Sequence, residues 1–275
     1  MKSLQGKIVL LTGASRGLGV YFARELANRG ARLALTARSE SELNKLVEEL
    51  RKDGGEAVAI PFDLTRTDRL QELLDKTKEL LGPPDVLFNN AGRELYRTYP
   101  DYTREDIEGI IQLNVTVPME LTRLALPHML EQKSGHILTV ASIAGKKSSP
   151  YNSIYSGSKG AIVVWSDALR AELRGSGVGI TVSCPTYVGD AGMFADTQMK
   201  PPFMMGTTPE KTARLSVKGI LRNTPEVIVY NGPIRPMLAL GQISPRLADA
   251  VVRWMGVVKL HKKFAEQETA RSKNS

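Results

Sequence analysis

The stretch "KIVLLTGASRGLG", Lys7 to Gly19, sets an apolar run against a glycine-rich turn, and "VYFARELANRG" follows with a helical period. Strand, tight turn and helix in that order open a βαβ unit. Glycines at 13, 17 and 19 permit a sharp turn and a close backbone approach. The helix start offers free N–H groups and a positive dipole end to a pyrophosphate. The spacing is G-x-x-x-G-x-G, and a glycine triplet alone carries little weight; strand before and helix after give it its meaning. A loop serving only packing is the alternative.

Working outward, "ARLALTA", "EAVAIPF", "DVLFNN", "GHILTVAS", "GITVSC" and "EVIVY" repeat the strand-like run. Between them lie helical patterns at Leu43 to Leu50, Leu70 to Leu81, Ile107 to Leu130 and Tyr155 to Leu173. This alternation predicts an α/β fold with a doubly wound parallel sheet of about seven strands. The runs are apolar throughout rather than alternating, as expected when helices cover both sheet faces. With no internal repeat or low-complexity linker, residues 1–275 read as a single domain. The one long irregular region, about 189–208, is rich in Met, Phe, Gly and Pro and reads as a lid.

Composition narrows the class. Cys184 is the sole cysteine and sits in an apolar run, so an intramolecular disulfide is excluded and a buried inert thiol is expected. No apolar stretch approaches membrane-span length, and the first residues lack a secretory h-region, so a cytoplasmic protein is expected. The net charge is +8, and the segment from Arg246 onward carries seven of the basic residues against three acids. Basic residues there are not interleaved with aromatics, so nucleic acid is not an expected partner, and no metal site is read.

The end of the second strand bears on the ligand. Dinucleotide folds that bind NAD place an acid there to accept from the ribose hydroxyls, whereas "LTARSE" puts Arg38 at that point. A guanidinium pairs with a 2'-phosphate that a carboxylate would repel, and Arg16 in the glycine loop adds a second cation. Together they favour NADP(H). Solvated surface arginines are the alternative for either one alone.

"SIYSGSKGA", Ser153 to Ala161, places Tyr155 and Lys159 one turn apart on one helix face. A nearby cation favours a phenolate, so the spacing predicts a lowered tyrosine pKa and a proton-transfer group. With "TGASRGLG", "NNAG" at 89–92, "LNV" containing Asn114, and "VASIAG" containing Ser142, the chain resembles the short-chain dehydrogenase/reductase family from about Lys7 to Val188.

The resemblance implies a Rossmann-type fold and an oxidoreductase that moves a hydride between NADP(H) and a carbonyl or alcohol. It makes Tyr155 the acid/base, Ser142 the group that orients the substrate oxygen, and Lys159 a holder of the ribose. Asn114 would hold a water linking Lys159 to solvent. Cofactor contacts are implied for Gly13, Ser15, Arg16, Gly17, Leu18, Gly19, Arg38, Asp63, Leu64, Asn90, Ala91, Gly92, Tyr155, Lys159, Pro185 and Val188. Taken singly, Ser142 serves equally as a turn cap and Asn114 as a partner of backbone groups; Asn89 reads equally well as structural. The sequence departs from the family at "PTYVGD", where Thr186 stands for a glycine and Asp190 for a threonine. That puts the nicotinamide carboxamide anchor in doubt.

Met193, Phe194, Met199, Phe203, Met204 and Met205 in the lid suit a lipophilic carbonyl or alcohol substrate; packing of core or subunit contact is the alternative. In 245–275, Leu247, Val251, Trp254 and Val258 recur at helical spacing beside Arg246, Arg253, Lys259 and Lys263. This basic amphipathic segment covers the protein's own core, a partner subunit or an anionic membrane surface. The final "ETARSKNS" is expected to be disordered. Helices 107–130 and 155–173 are apolar on all sides, and in similar proteins these pair subunits, so a homodimer or homotetramer is expected. A regulator or scaffold of the same fold would have lost Tyr155, Lys159 or Ser142. An epimerase or dehydratase would carry a larger C-terminal domain.

Overall fold

The computed structural model describes residues 1–189, 191–193, 206–232 and 234–273. All seven apolar runs become strands: β1 (Ile8–Thr12), β2 (Arg32–Ala37), β3 (Glu56–Pro61), β4 (Val86–Asn89), β5 (Gly135–Val140), β6 (Val178–Pro185) and, after a short β7/β8 ribbon (Tyr187–Val188, Gly206–Thr207), β9 (Glu226–Val229). They form one sheet in the order β3-β2-β1-β4-β5-β6-β9, with every neighbour parallel. Residues of β1, β4, β5 and β6 are buried throughout, which explains their unbroken apolar character.

Helices cover both faces. On one side α1 (Leu18–Ala27), α2 (Glu40–Lys52) and α7 (Pro209–Arg222) bury Phe22, Leu26, Leu43 and Ile220 against the sheet. Phe22 meets Phe88 of β4 with ring centroids 4.6 Å apart, each ring fully buried. Burying a side chain of that size contributes roughly 1.5–3 kcal/mol. On the other side α3 (Leu70–Leu80) and α5 (Val117–Glu131) bury Leu73, Leu121 and Met129, and Leu173 joins them at the end of α6 (Ser153–Glu172). Cys184 is fully buried on β6, and burial pushes its thiol up to about 12, in keeping with an inert core residue.

The chain winds outward in opposite directions from β1 and β4, so the C-terminal ends of these two strands leave a crevice at the switch of direction.

Three sequence expectations are corrected. The helix read over 107–130 is two helices, α4 (Arg104–Ile111) and α5, joined by a π-helical turn at Gln112–Thr116. Pro118 at the start of α5 has no N–H to continue a regular ladder. Beyond α8 (Ile234–Ile243), the segment 245–275 is not one helix: α9 (Pro245–Trp254) and α10 (Val257–Lys273) are separated at Gly256, whose φ of +77° ends α9. Nor is its end disordered through "ETARSK": α10 runs to Lys273, and Glu268 accepts a 2.7 Å hydrogen bond from Tyr96 N.

Candidate active site

The crevice opens into a cleft of about 1240 Å³ along the C-terminal ends of β1, β2, β4, β5 and β6. Every site residue read from the sequence lines it except Gly19 and Asn114, which stand just behind its wall. At one end the glycine loop turns tightly; a Cβ on Gly19 would come within 2.1 Å of the Gly13 carbonyl, so only glycine lets α1 start there. Gly17 precedes α1 with φ +58° and supplies no side-chain cap, and the first turn of α1 holds no acid.

"NNAG" ties this loop to β4. Asn90 Nδ2 donates to the carbonyls of Thr12 and Gly13 at 3.0 Å each, while Thr12 Oγ1 accepts from the backbone of Asn90 and Ala91. Thr12 is thus a hub that the sequence reading passed over. Asn89 has a structural place, donating to Thr139 Oγ1 on β5. At the β2 end, Arg16 and Arg38 are exposed, and no ion pair engages either among the described residues. The nearby acids are occupied: Glu42 pairs with Lys45 at 2.9 Å, and Asp63 accepts twice from Thr65. Those bonds, with Arg38 and Arg66 nearby, hold the Asp63 carboxyl below its usual range.

Toward the middle of the cleft stand Ser142, Tyr155 and Lys159. Ser142 follows β5 and caps a short turn, its Oγ accepting from Ala144 N at 3.1 Å. That turn packs on the α6 backbone so closely that a Cβ on Gly145 would lie 2.6 Å from the Lys159 carbonyl. The contact brings the Ser142 hydroxyl into hydrogen-bonding reach of the Tyr155 phenol. Lys159 Nζ donates to the Val140 carbonyl at 2.8 Å and lies 5.6 Å from the centre of the Tyr155 ring.

The electrostatics differ from the sequence expectation. Burial pushes the Tyr155 phenol well up, the Glu94 charge pushes it further, and the Ser142 bond pulls it partly back. Lys159 is lowered to about 8, chiefly by burial, with Glu94 acting the other way. Desolvation of both groups outweighs their mutual effect, so the pair favours a protonated phenol rather than a phenolate.

Asn114 sits in the π turn, fully enclosed. Its Oδ1 accepts from Arg93 N at 2.8 Å, and its Nδ2 donates to the Arg93 carbonyl and Ser158 Oγ. Both ends of the amide are therefore used in holding backbone. Thr186, the residue in place of the family's glycine, fastens the exit of β6: its N and Oγ1 both donate to the Val229 carbonyl. Pro185 and Val188 line the cleft beside it. Of the expected lid, Met193 lines the cleft, while Asp190, Phe194, Met199, Phe203, Met204 and Met205 lie outside the described residues.

A family model described as short chain dehydrogenase matches residues 7–201. The chain belongs to that family. It is 47% identical over 272 residues to the ketoacyl reductase HetN of Nostoc sp., spanning 97% of this chain and 95% of that one. Among solved structures it is similar to a variant of the actinorhodin polyketide ketoreductase with NADPH, at 27% identity and a TM-score of 0.77, covering 84% of this chain and 98% of that one. A short-chain dehydrogenase/reductase from Burkholderia phymatum in complex with NAD also matches, at 27% identity and a TM-score of 0.79, over 90% of this chain and 96% of that one.

This short-chain dehydrogenase carries a far wall that the sequence did not reveal. α10 folds back so that His261, Phe264, Gln267 and Glu268 face the cleft. Phe264 meets the Tyr96 ring at 4.8 Å, and His261 Nε2 pairs with Tyr187 OH at 2.7 Å. Glu94, Tyr96 and Asn152 complete this side. The exposed row of the tail lies elsewhere: Trp254 is 86% exposed and Leu247 46%, so α9 does not bury its stripe in the protein's own core. Among the described residues no helix is long and apolar enough to cross a membrane.

Proposed function

We propose that the protein is an NADP(H)-dependent oxidoreductase that interconverts a carbonyl and an alcohol, with residues 1–275 acting as one catalytic domain and a lipophilic ketoacyl compound as its substrate. The observation that carries this reading is the convergence of Ser142, Tyr155 and Lys159 in one cleft. The ketoacyl class is supported by the likeness to HetN and by the apolar side chains Leu113, Ile143, Met193 and Phe264 along the cleft.

The residues present fit NADP(H). The uncapped start of α1 offers N–H donors for a pyrophosphate. Arg16 and Arg38, exposed beside the cleft with the local acids occupied, suit a 2'-phosphate. When bound, NADPH supplies the hydride.

The chain's own groups handle the oxygen and the proton. The Ser142 hydroxyl donates to the carbonyl oxygen and stabilises charge that builds there. Tyr155 gives its phenolic proton to the same oxygen, and its high pKa keeps that proton available across neutral pH. Lys159, poised near 8, regains protons readily, and as an ammonium it stabilises the phenolate left once Tyr155 has given up its proton. The side chain of Asn114 fixes the Arg93 backbone.

In this reading the protein is a homodimer or homotetramer joined through α6, where Val164 is 71% exposed in line with Gly157, Ala161 and Ala168. The α9 row of Leu247 and Trp254, flanked by Arg246 and Arg253, docks on an anionic membrane surface.

NADPH oxidation measured across a panel of ketoacyl thioesters, long-chain aldehydes and small charged ketones tests the substrate class. Preference for the ketoacyl compounds is expected; preference for the small charged ketones would refute it. Light scattering tests the assembly, and a mass near 30.1 kDa would contradict it.

A further inference from the structure

Two residues past "NNAG", Glu94 brings a carboxylate to the wall of the cleft that holds Tyr155. Its position is fixed from several directions. Asn152, which precedes α6 and is 1% exposed, donates Nδ2 to Glu94 Oε1, and Tyr96 hydrogen-bonds the same carboxylate. Asn152 lies three residues before Tyr155, so the bond couples Glu94 to the first turn of the catalytic helix. On either side of Glu94, Arg93 and Arg97 each pair with Asp106 at 3.1 Å, and Asn114 clamps the Arg93 backbone. The Asn152 Oδ1 atom is buried and has no partner among the described residues.

We propose that Glu94 is a positioning residue for the proton-donating pair: its carboxylate, held by Asn152 and Tyr96, keeps the proton on Tyr155 and the charge on Lys159. The functional meaning rests on the carbonyl-reduction reading given above. A negative charge disfavours a phenolate beside it and favours an ammonium beside it, so one carboxylate biases both groups toward the reducing direction. Its charge acts on Tyr155 and Lys159 in those senses, second only to burial in each case.

The groups facing Glu94 are Tyr96 on its own segment, Tyr155 and Lys159 on α6, Tyr187 on β7, and Glu268 on α10; His261 of α10 and Tyr102 stand in the same surroundings. Burial raises the Glu94 carboxyl to about 6, Glu268 adds to the rise, and Tyr96, Asn152 and Lys159 oppose it. The bias is therefore present above pH 6 and fades below it as Glu94 gains a proton.

The test is Glu94→Gln, which keeps the side-chain length and an oxygen for Asn152. Lys159 is titrated by NMR with 13C-labelled lysine, its signal assigned by its loss in Lys159→Met. Loss of the charge is expected to move the Lys159 titration down by about one pH unit and the alkaline limb of carbonyl reduction with it. NADPH affinity should stay unchanged, and Glu94→Asp should restore the limb. An unmoved Lys159 titration and an unmoved alkaline limb in Glu94→Gln would overturn the proposal. If no carbonyl is reduced at all, the functional reading falls, while the lysine titration still decides the role of Glu94. A merely structural role would lower the melting temperature and leave the Lys159 titration in place.

Discussion

Lys159 Nζ stands 5.6 Å from the centre of the Tyr155 ring and bonds to the Val140 carbonyl at the end of β5. That anchor fixes the ammonium between the sheet and the catalytic helix, and Gly145 lets the Ser142 turn press against the same stretch of α6. The relationship joins sheet register, helix packing and proton chemistry at one point.

Ser142→Ala removes the donor aimed at the substrate oxygen while leaving Tyr155 and Lys159 in place. Turnover should fall by about 10²- to 10³-fold, the usual cost of losing one such donor. NADPH binding, followed by fluorescence, should be unchanged. An equal loss of cofactor affinity would show that Ser142 acts through folding.

Arg38→Asp tests the choice of dinucleotide. It replaces a cation suited to a 2'-phosphate with an acid suited to ribose hydroxyls. NADPH affinity should drop by at least about tenfold, the effect of one charge-assisted hydrogen bond, while NADH affinity holds or rises. Tighter NADH than NADPH binding by the unaltered protein would refute the assignment.

His261 predicts an acid sensitivity. Burial lowers its imidazole to about 4, below its ordinary value of 6.5, so the unfolded chain binds the proton more readily. Stability contributed by neutral His261 is full above pH 6.5 and is lost as pH falls toward 4. The loss is on the order of 3 kcal/mol. His136, lowered to about 3 by burial, acts in the same sense, whereas Glu94 acts in the opposite one, since its raised carboxyl favours the folded state as pH falls from 6. His261→Gln should therefore flatten the decline of melting temperature between pH 6.5 and 4; an unchanged slope would contradict the account.

Trp254→Glu together with Leu247→Glu should abolish co-sedimentation with vesicles of phosphatidylserine and phosphatidylcholine and leave turnover of a soluble substrate intact. Equal sedimentation of both forms would remove the membrane from the account. A halved mass of the variant in light scattering would instead identify a second copy of this chain as the occupant.

Much of this could be read in the sequence because it is written locally. Each strand buried on both faces must be apolar along its length, so the runs from "KIVLLT" to "EVIVY" marked all seven. The glycine loop, Ser142, Tyr155 and Lys159 are short motifs whose spacing states their geometry. What escaped depends on distance in the chain. Tyr96 and Glu268 meet across 172 positions, and nothing local to either announces the other. The stripe of the tail looked continuous because Val258 follows Trp254 at helical spacing, while the left-handed Gly256 between them starts a new helix direction. The tyrosine pKa was misjudged for a similar reason: the cation one turn away is visible in sequence, but the burial that outweighs it is a property of the packed cleft.

The central claim is that Tyr155 gives a proton to the substrate oxygen. Tyr155→Phe keeps the ring and its packing and removes only the hydroxyl. Single-turnover mixing of the NADPH-loaded variant with a ketoacyl thioester measures that step directly. The account predicts NADPH affinity within about twofold of the unaltered protein and hydride transfer slowed by about 10²- to 10⁴-fold. Hydride transfer at the unaltered rate would contradict it.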